Sequence, residues 1–585
     1  MSRARWRRQL LLRVRQQYYF VDGNAQRSPP HQASGRPNAQ VVCSETDIGR
    51  RPLRRKLHIA MLRLPSGPPP LPLVGNLLDI GMGKGIGLGP QPHVRMTTLA
   101  EQYGDVMALR MGGAEPEPWV VLSSPAAVHD AFVARGGDFS GRPMVSSMAV
   151  SSGGGQGFAQ PTMTKRLREL RGLAFSTLFG AAAVEQAEMK LEAESQRLAQ
   201  HLLRLQATSG APELRPALRR CVTNMVCTYV FSSRVAYETE DEEEHSTAEQ
   251  EEVHRLTREL AEVVDETWTT LTATSTTAAD LLVPAAQPTA RALINAPLSA
   301  LVDRRNGLLR ALIAKRREAR QRRAAASAPS AAPTPDMLDV LLDAQMSEAE
   351  VLYTLVDLFV AGVNTVSTAL EWTLLLSAND QQAQSRARAA ARRGSPPSRT
   401  GGMAEAGIRA AEDASARYAP SETSIRSPHV QALISETLRC KPPLLLPRRA
   451  VRDSTICGFD IKAGTLVLAN NHALTQSARW WRDPALFRPS RFLEEEAGLR
   501  LRPPGTTARA GAGDVDACKF IPFSIGARVC PGARLAEAQL YAATRVLLSS
   551  VRWARDGGTP IDLSEEYSLT LRPMASQRLR FSELS

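Results

Sequence analysis

The sequence predicts a mainly α-helical protein with a small β region, folded as a single large domain at 61–585 behind a basic extension at 1–60. Three observations carry this. Helical apolar periodicity dominates from residue 94 to 378. Within it, VLYTLVDLFVAGVNTVSTALEWTLLLSA at 351–378 suits one long buried helix. Later, TICGFDIKAGTLVLANN offers short strand-like pieces with a turn at Ala463-Gly464. At 43% hydrophobic residues the chain can bury a large core, and at 5% aromatic residues that core is mostly aliphatic.

The extension comes first, and it holds the charge. Of the net +13, residues 1–60 carry +10 from thirteen Lys/Arg and three Asp/Glu, which leaves +3 for the other 525 residues. A basic tail on a balanced body points to targeting or surface attraction. No aromatic-interleaved basic patch is present, so no nucleic-acid partner is expected. The first twenty residues hold six arginines, no acid and no apolar run beyond LLL. That is the composition of a transit segment, not of a signal peptide or a span, and it equally suits a leader without function.

Next, LPSGPPPLPLVGNLLDI at 64–80 is too proline-dense for a helix and leads into apolar residues that can dock the start of the domain. The charged stretch 238–252 reads as a solvated loop or helix face. Polar low-complexity stretches at 317–335, 386–427 and 494–517 read as surface insertions, because such composition cannot bury itself. Asp357, Asn364 and Glu371 recur at sevens in the long apolar helix and argue against a membrane span. The seven cysteines contain no CxxC pair, so neither a zinc ribbon nor a disulfide framework is indicated, and a reducing intracellular compartment is expected.

One cysteine stands apart. FSIGARVCPG at 523–532 places Cys530 in a glycine-containing turn, two residues after Arg528 and just ahead of the amphipathic run ARLAEAQLYAATRVLL. A helix N-terminus and a nearby cation favour the thiolate. Gly526 and Gly532 let the backbone bend tightly and approach a flat object closely. Phe523 can shield the sulfur, and Arg528 can pair with an anion beside it. These features suit an axial ligand for haem iron; a buried structural cysteine after a chance turn is the plain alternative.

FSIGARVCPG resembles the haem-binding loop of the cytochrome P450 family, FxxGxRxCxG, at all five fixed positions. Other segments follow in the family's order. SETLRCKPP is similar to its ExxR helix, with Glu436 and Arg439, and Pro489-Ser490-Arg491-Phe492 to its PxRF segment. The resemblance implies a structural triad of Glu436, Arg439 and Arg491. Ala361-Gly362-Val363-Asn364-Thr365 resembles the oxygen-activation segment AGx(D/E)T, which implies that Ala361 and Gly362 let haem and O2 approach and that Thr365 delivers protons through water. Asn364 departs from that pattern: an amide orients water but does not ionise. A threonine in mid-helix also commonly bonds back to its own helix. TKRLRELRGLAFSTLFG looks like the WxxxR helix, with Arg171 at the Arg position and Leu167 at the Trp position. Arg448, in LLLPRRA, matches a second propionate-contact arginine. With Arg171, Arg448 and Arg528, two carboxylates can still be neutralised.

The resemblance, from about residue 64 to the C-terminus, implies a cytochrome P450 fold and a haem-dependent monooxygenase. The cofactor is then heme b, with Cys530 as the metal ligand. Its partners are a small apolar organic substrate, O2, and an NADPH-dependent reductase or ferredoxin, since no nucleotide-binding glycine motif occurs in the chain. Two other outcomes stay open: a haem-thiolate isomerase or lyase that uses a peroxide, and a haem-binding protein without monooxygenase activity. The basic leader suits an intracellular enzyme on an organelle membrane surface, mitochondrial or endoplasmic reticulum, with peripheral membrane association. Loops at 142–158 and 283–298 are candidates for setting substrate choice.

Overall fold

The computed structural model describes residues 63–72, 74–81, 91–112, 117–238, 247–275, 287–325, 335–393, 426–443, 447–494, 514–557, 560–567 and 570–584. The basic extension 1–60 lies outside them.

The proline-rich entry docks as expected. The Ala108 amide donates to Ser66 O at 2.8 Å, and Asn76 Nδ2 donates to Pro68 O at 3.0 Å. A Cβ at Gly67 would lie 1.9 Å from Ala108 O, so only glycine lets the entry run this close to the neighbouring strand.

The principal helices are α1 (Pro92–Tyr103), α2 (Lys165–Leu173), α3 (Ala181–Ser209), α4 (Leu214–Phe231), α5 (Ala248–Ser275), α6 (Gln287–Ala325), α7 (Glu348–Asn379), α8 (Gln381–Arg393), α9 (Pro428–Cys440) and α10 (Ala533–Ser550). The long apolar stretch is one continuous helix, α7. It is started by a reciprocal cap in which Ser347 Oγ accepts from the Glu350 amide and Glu350 Oε2 accepts from the Ser347 amide. By length and hydropathy α7 could cross a membrane, yet most of it is buried inside the protein. Around it pack α4, α9, α10 and the helices they touch, forming the largest apolar cluster.

The β region extends beyond the one expected from 455 onward, because strands also form at Val106–Leu109 and Trp119–Leu122, inside the stretch read as helical. Strands β1 (Val106–Leu109), β2 (Trp119–Leu122), β3 (Arg448–Arg449) and β6 (Leu466–Ala469) form a sheet in the order β1-β2-β6-β3. β2 and β6 are parallel; the other pairs are antiparallel. β4 (Ser454–Ile456) and β5 (Phe459–Ile461) form a hairpin. Its turn is Cys457-Gly458, both at positive φ, which sequence reading missed; Gly464, at φ 91, makes the turn that was expected. Two further antiparallel pairs follow, β7 (Val551–Arg555) with β10 (Leu579–Glu583) and β8 (Glu565–Tyr567) with β9 (Leu571–Pro573).

The insertions are narrower than expected. Residues 317–325 continue α6 and 386–393 belong to α8, because their Ala/Arg composition is strongly helix-forming whatever its polarity. Ala387 and Ala391 even enter the core. Ala517 and Cys518 are buried in a 3-10 turn, Asp516–Lys519. The remaining parts, 326–334, 394–425 and 495–513, lie outside the described residues. Of the charged stretch 238–252, the described end starts α5, with Glu249 exposed and paired to Arg322.

Candidate active site

Cys530 sits in a loop held shut from several sides. Its amide donates to Phe523 O at 2.9 Å, which folds the loop back on itself, while the half-buried Phe523 ring packs on the main apolar cluster. Gly526 has φ 68, and a Cβ there would stand 1.9 Å from Phe132 O, so both conformation and space require glycine. Gly532 is different. Its φ is −87 and a Cβ would meet no protein atom within 4 Å, so the tight bend expected of it is not there. It serves as N-cap of α10 and leaves the ground beside Cys530 clear for a flat group. Burial pushes the Cys530 thiol up from its usual pKa, while the Gly532 amide, Arg171 and Arg142 act to lower it.

Four arginines crowd this loop. Arg171, buried on α2, donates through Nη2 to Val529 O, one residue from the cysteine. Leu167, at the position where an indole was expected by resemblance, is fully buried and offers no donor. Arg448 on β3 is 0% exposed, lies 3.8 Å from the Phe132 ring centroid and donates through Nη2 to Ser524 Oγ (3.1 Å) and Ile525 O. Its Nε and Nη1 are buried without a partner. Arg142, which sequence reading treated only as the edge of a substrate loop, joins the group, with Nη1 on Pro447 O at 3.0 Å. Burial and the neighbouring guanidinium charges push Arg142 down to about 9 and Arg448 well below the usual range. A signal existed at Arg142. It follows Gly141, whose missing side chain lets the loop bridge Arg449 on β3.

Arg528 acts otherwise than expected. Its guanidinium is spent on main-chain oxygens of the 140–161 loop: Nε on Ser140 O (2.7 Å), Nη2 on Gln160 O (2.9 Å), with longer contacts at 3.5 Å to Phe158 O and Pro161 O. It is a clamp between the cysteine loop and that strap, and no anion is needed to explain it. Burial, with Arg171 nearby, lowers it to about 10.

On α7, Ala361 is exposed and Gly362 half-buried. A Cβ at Gly362 would make only ordinary contacts, at 3.6 Å to Leu358 and 3.9 Å to Val226, so glycine is not required there by protein packing. Thr365 Oγ1 donates to Ala361 O at 2.6 Å, the back-bonding that mid-helix threonines favour. Its lone pairs remain able to accept a proton. Asn364 is buried, and its Nδ2 has no partner. Among the described residues no hydrogen bond joins Thr365 or Asn364 to the Cys530 loop. α7 reaches the loop's surroundings instead through Asp357, whose Oδ2 accepts from the Phe158 amide at 2.5 Å.

The triad implied by resemblance is present and wholly buried. Arg439 grips Glu436 with two bonds of 2.8 and 2.9 Å, and Arg491 Nε reaches the same carboxylate at 3.1 Å. The remaining guanidinium donors go to carbonyls of Thr475, Arg482, Asp483 and Leu486, so the group ties α9 to the 475–491 segment.

A helical fold around a lone cysteine loop, with unpaired guanidinium donors beside it, suits a thiolate-held porphyrin with acidic side arms. The cytochrome P450 family model matches residues 65–578, so this chain belongs to the cytochrome P450 family, whose members bind haem and act as oxidoreductases of the monooxygenase type. It is similar to the steroid 17-alpha-hydroxylase/17,20 lyase of Ictalurus punctatus, at 26% identity over 89% of this chain and 91% of that one. It is also similar to sugiol synthase of Salvia miltiorrhiza, at 24% identity over 84% and 88%. A zebra fish cytochrome P450 solved with progesterone superposes with a TM-score of 0.61, covering 84% of this chain and 99% of that one at 24% identity.

Proposed function

We propose that this protein inserts one oxygen atom of O2 into a small apolar organic substrate, with heme b held through the Cys530 thiolate. Electrons come from NADPH through a separate reductase or ferredoxin. The observation that carries the reading is the crowd of buried arginines around one cysteine loop, with Arg448 Nε and Nη1 unpartnered. Two propionates would neutralise that charge and satisfy those donors. Arg171, Arg448 and Arg142 are the residues that would hold them, Cys530 would hold the iron, and the open ground beside Gly532 would admit the ring.

When bound, the haem supplies the redox chemistry of O2 activation. The chain's own residues do the rest. To hold the iron, Cys530 would have to give up its thiol proton, against the burial that favours the thiol and with the help of the Gly532 amide, Arg171 and Arg142. Thr365 Oγ1 keeps lone pairs that can take a proton from water, and the proton it would then deliver is its own, freed when the bond to Ala361 O swings away. Asn364 orients water without ionising. The basic leader supports a mitochondrial or endoplasmic-reticulum membrane surface as location, which fractionation of the native product tests.

The carbon-monoxide difference spectrum of the reduced protein tests the reading. A thiolate-type Soret band is expected in the parent and not in Cys530→Ser. A parent protein without that band, after loading with hemin, overturns it.

A further inference from the structure

Asn364, Ser367, Thr368 and Glu371 lie on one stripe of α7, at i, i+3, i+4 and i+7. They line one wall of a cavity whose other walls are Arg215 and Arg219 from α4, Trp268 from α5, Arg572 from β9 and Thr570 just before that strand. It has room for about one water. The unpartnered Asn364 Nδ2 is buried at this wall, and a buried donor left without a partner is costly, which argues that water occupies the cavity. Glu371 is the carboxylate of the lining. It is 2% exposed and accepts from Arg215 Nε at 3.1 Å and Nη2 at 3.2 Å.

The charges facing Glu371 are Arg215, Arg219 and Arg572. Arg219 is paired with Asp265 of α5 at 2.7 Å, and Arg572 with Glu566 of β8 at 2.7 Å. Arg572 and Glu566 are each about a third exposed, so the outer rim meets solvent. Burial raises the Glu371 pKa, and the three arginines oppose the rise. A carboxyl group is thus enclosed with water on the polar stripe that begins beside Thr365, and the side chain next to Thr365 is an amide that carries no proton.

We propose that Glu371 relays protons to Thr365 through the water of this cavity, the task that Asn364 cannot perform. The proposal rests on the monooxygenase reading above. In the step, the Arg215-held Glu371 carboxylate first takes a proton from solvent past Arg572. That O–H bond then breaks as its proton passes to cavity water, and the water gives one to Thr368 Oγ1. Thr368 releases its own to Thr365 Oγ1 one turn away, and Thr365 gives up the proton now resting on Ala361 O. The carboxylate left behind is held by Arg215 and regains a proton from solvent past Arg572. No electrons move.

The test uses the haem-loaded protein and a partner reductase, with O2 alone as substrate. Glu371→Gln is expected to slow NADPH oxidation on the order of tenfold and to enlarge its D2O isotope effect. Adding Asn364→Asp to Glu371→Gln is expected to restore most of the rate, a rescue that a merely structural role would not show. Independently of turnover, infrared spectra taken from neutral to mildly acidic pH are expected to show a D2O-sensitive carboxyl band in the parent that Glu371→Gln lacks. Thr368→Val leaves the Arg215 pair intact and is expected to enlarge the isotope effect too, so the question is answered even if Glu371→Gln does not fold. Parent-like isotope effects in Thr368→Val, or in a folded Glu371→Gln, overturn the relay. If the parent's thiolate-type band is normal while these variants match it, only the relay fails; if the parent lacks that band, the function reading fails first.

Discussion

The Arg528 guanidinium donates to the carbonyl oxygen of Gln160 across 2.9 Å, linking positions 368 apart in the chain. The same strap is held from its other side by Asp357, which accepts from the Phe158 amide. One short segment is therefore tied both to the cysteine loop and to α7. Gly157, at φ 66, is what lets it pass: a Cβ there would lie 2.3 Å from Asp357 Oδ2.

Asp357 gives a pH prediction. Burial raises its carboxyl from the ordinary 3.8 to about 7, against the opposing effects of the Phe158 and Ala159 amides and Arg305. The folded protein then binds a proton that the unfolded chain has released, so this group's contribution to stability declines as pH rises from 3.8 to about 7 and is level above that. Asp357→Asn is expected to flatten that part of the stability–pH curve, measured by urea unfolding at a series of pH values.

The two glycines of the cysteine loop should fail in different ways. Gly526→Ala meets Phe132 O and a positive φ, and is expected to cost more than about 1 kcal/mol of stability without any cofactor present. Gly532→Ala meets no protein atom and is expected to leave that stability unchanged while weakening hemin binding. Equal hemin affinity in Gly532→Ala and the parent would deny that the ground beside Cys530 receives the porphyrin.

Arg448 carries two buried donors that lack partners. Arg448→Gln is expected to speed haem loss to a scavenger about tenfold or more, since a hydrogen bond to a charged group is worth roughly 1.5–3 kcal/mol. Arg449→Gln, whose guanidinium meets Gly464 O at 3.0 Å, is the control expected to lose haem at the parent's rate.

Glu436 holds Arg439 and Arg491 with no exposure to water. Glu436→Ala strands two buried guanidinium groups and is expected to destabilise the protein by about 3–5 kcal/mol. Unfolding midpoints with and without hemin measure it, and a loss of similar size in both would mark the triad as scaffold.

The chemistry-bearing segments were readable because each is local: a cysteine two residues after an arginine, a pair at i, i+3, small residues next to a threonine in a long apolar run. Helix α7 announced itself by periodicity and the strands at 454–469 by composition and the Gly464 turn, whereas the Cys457-Gly458 turn that makes the β4–β5 hairpin did not. Arg142 had only Gly141 before it as a local mark, because what matters about it is the company of Arg171, Arg448 and Arg528, which the fold brings to it from other segments. The insertions at 317–335 and 386–427 were drawn too wide because polarity was taken for irregularity where helix propensity prevailed.

By itself, then, the order of residues determined the mostly helical class, through periodicity, and the membership of the cytochrome P450 family, through the resemblance of short segments such as FSIGARVCPG, because both are carried by local pattern. Tertiary structure alone decided which arginines keep donors to spare, that Arg528 is a clamp on residues 140–161, and that Asn364 shares a cavity with Glu371. Those outcomes depend on burial and on the neighbours brought by distant segments, and a buried donor's partner is chosen by three-dimensional proximity, which no local pattern encodes.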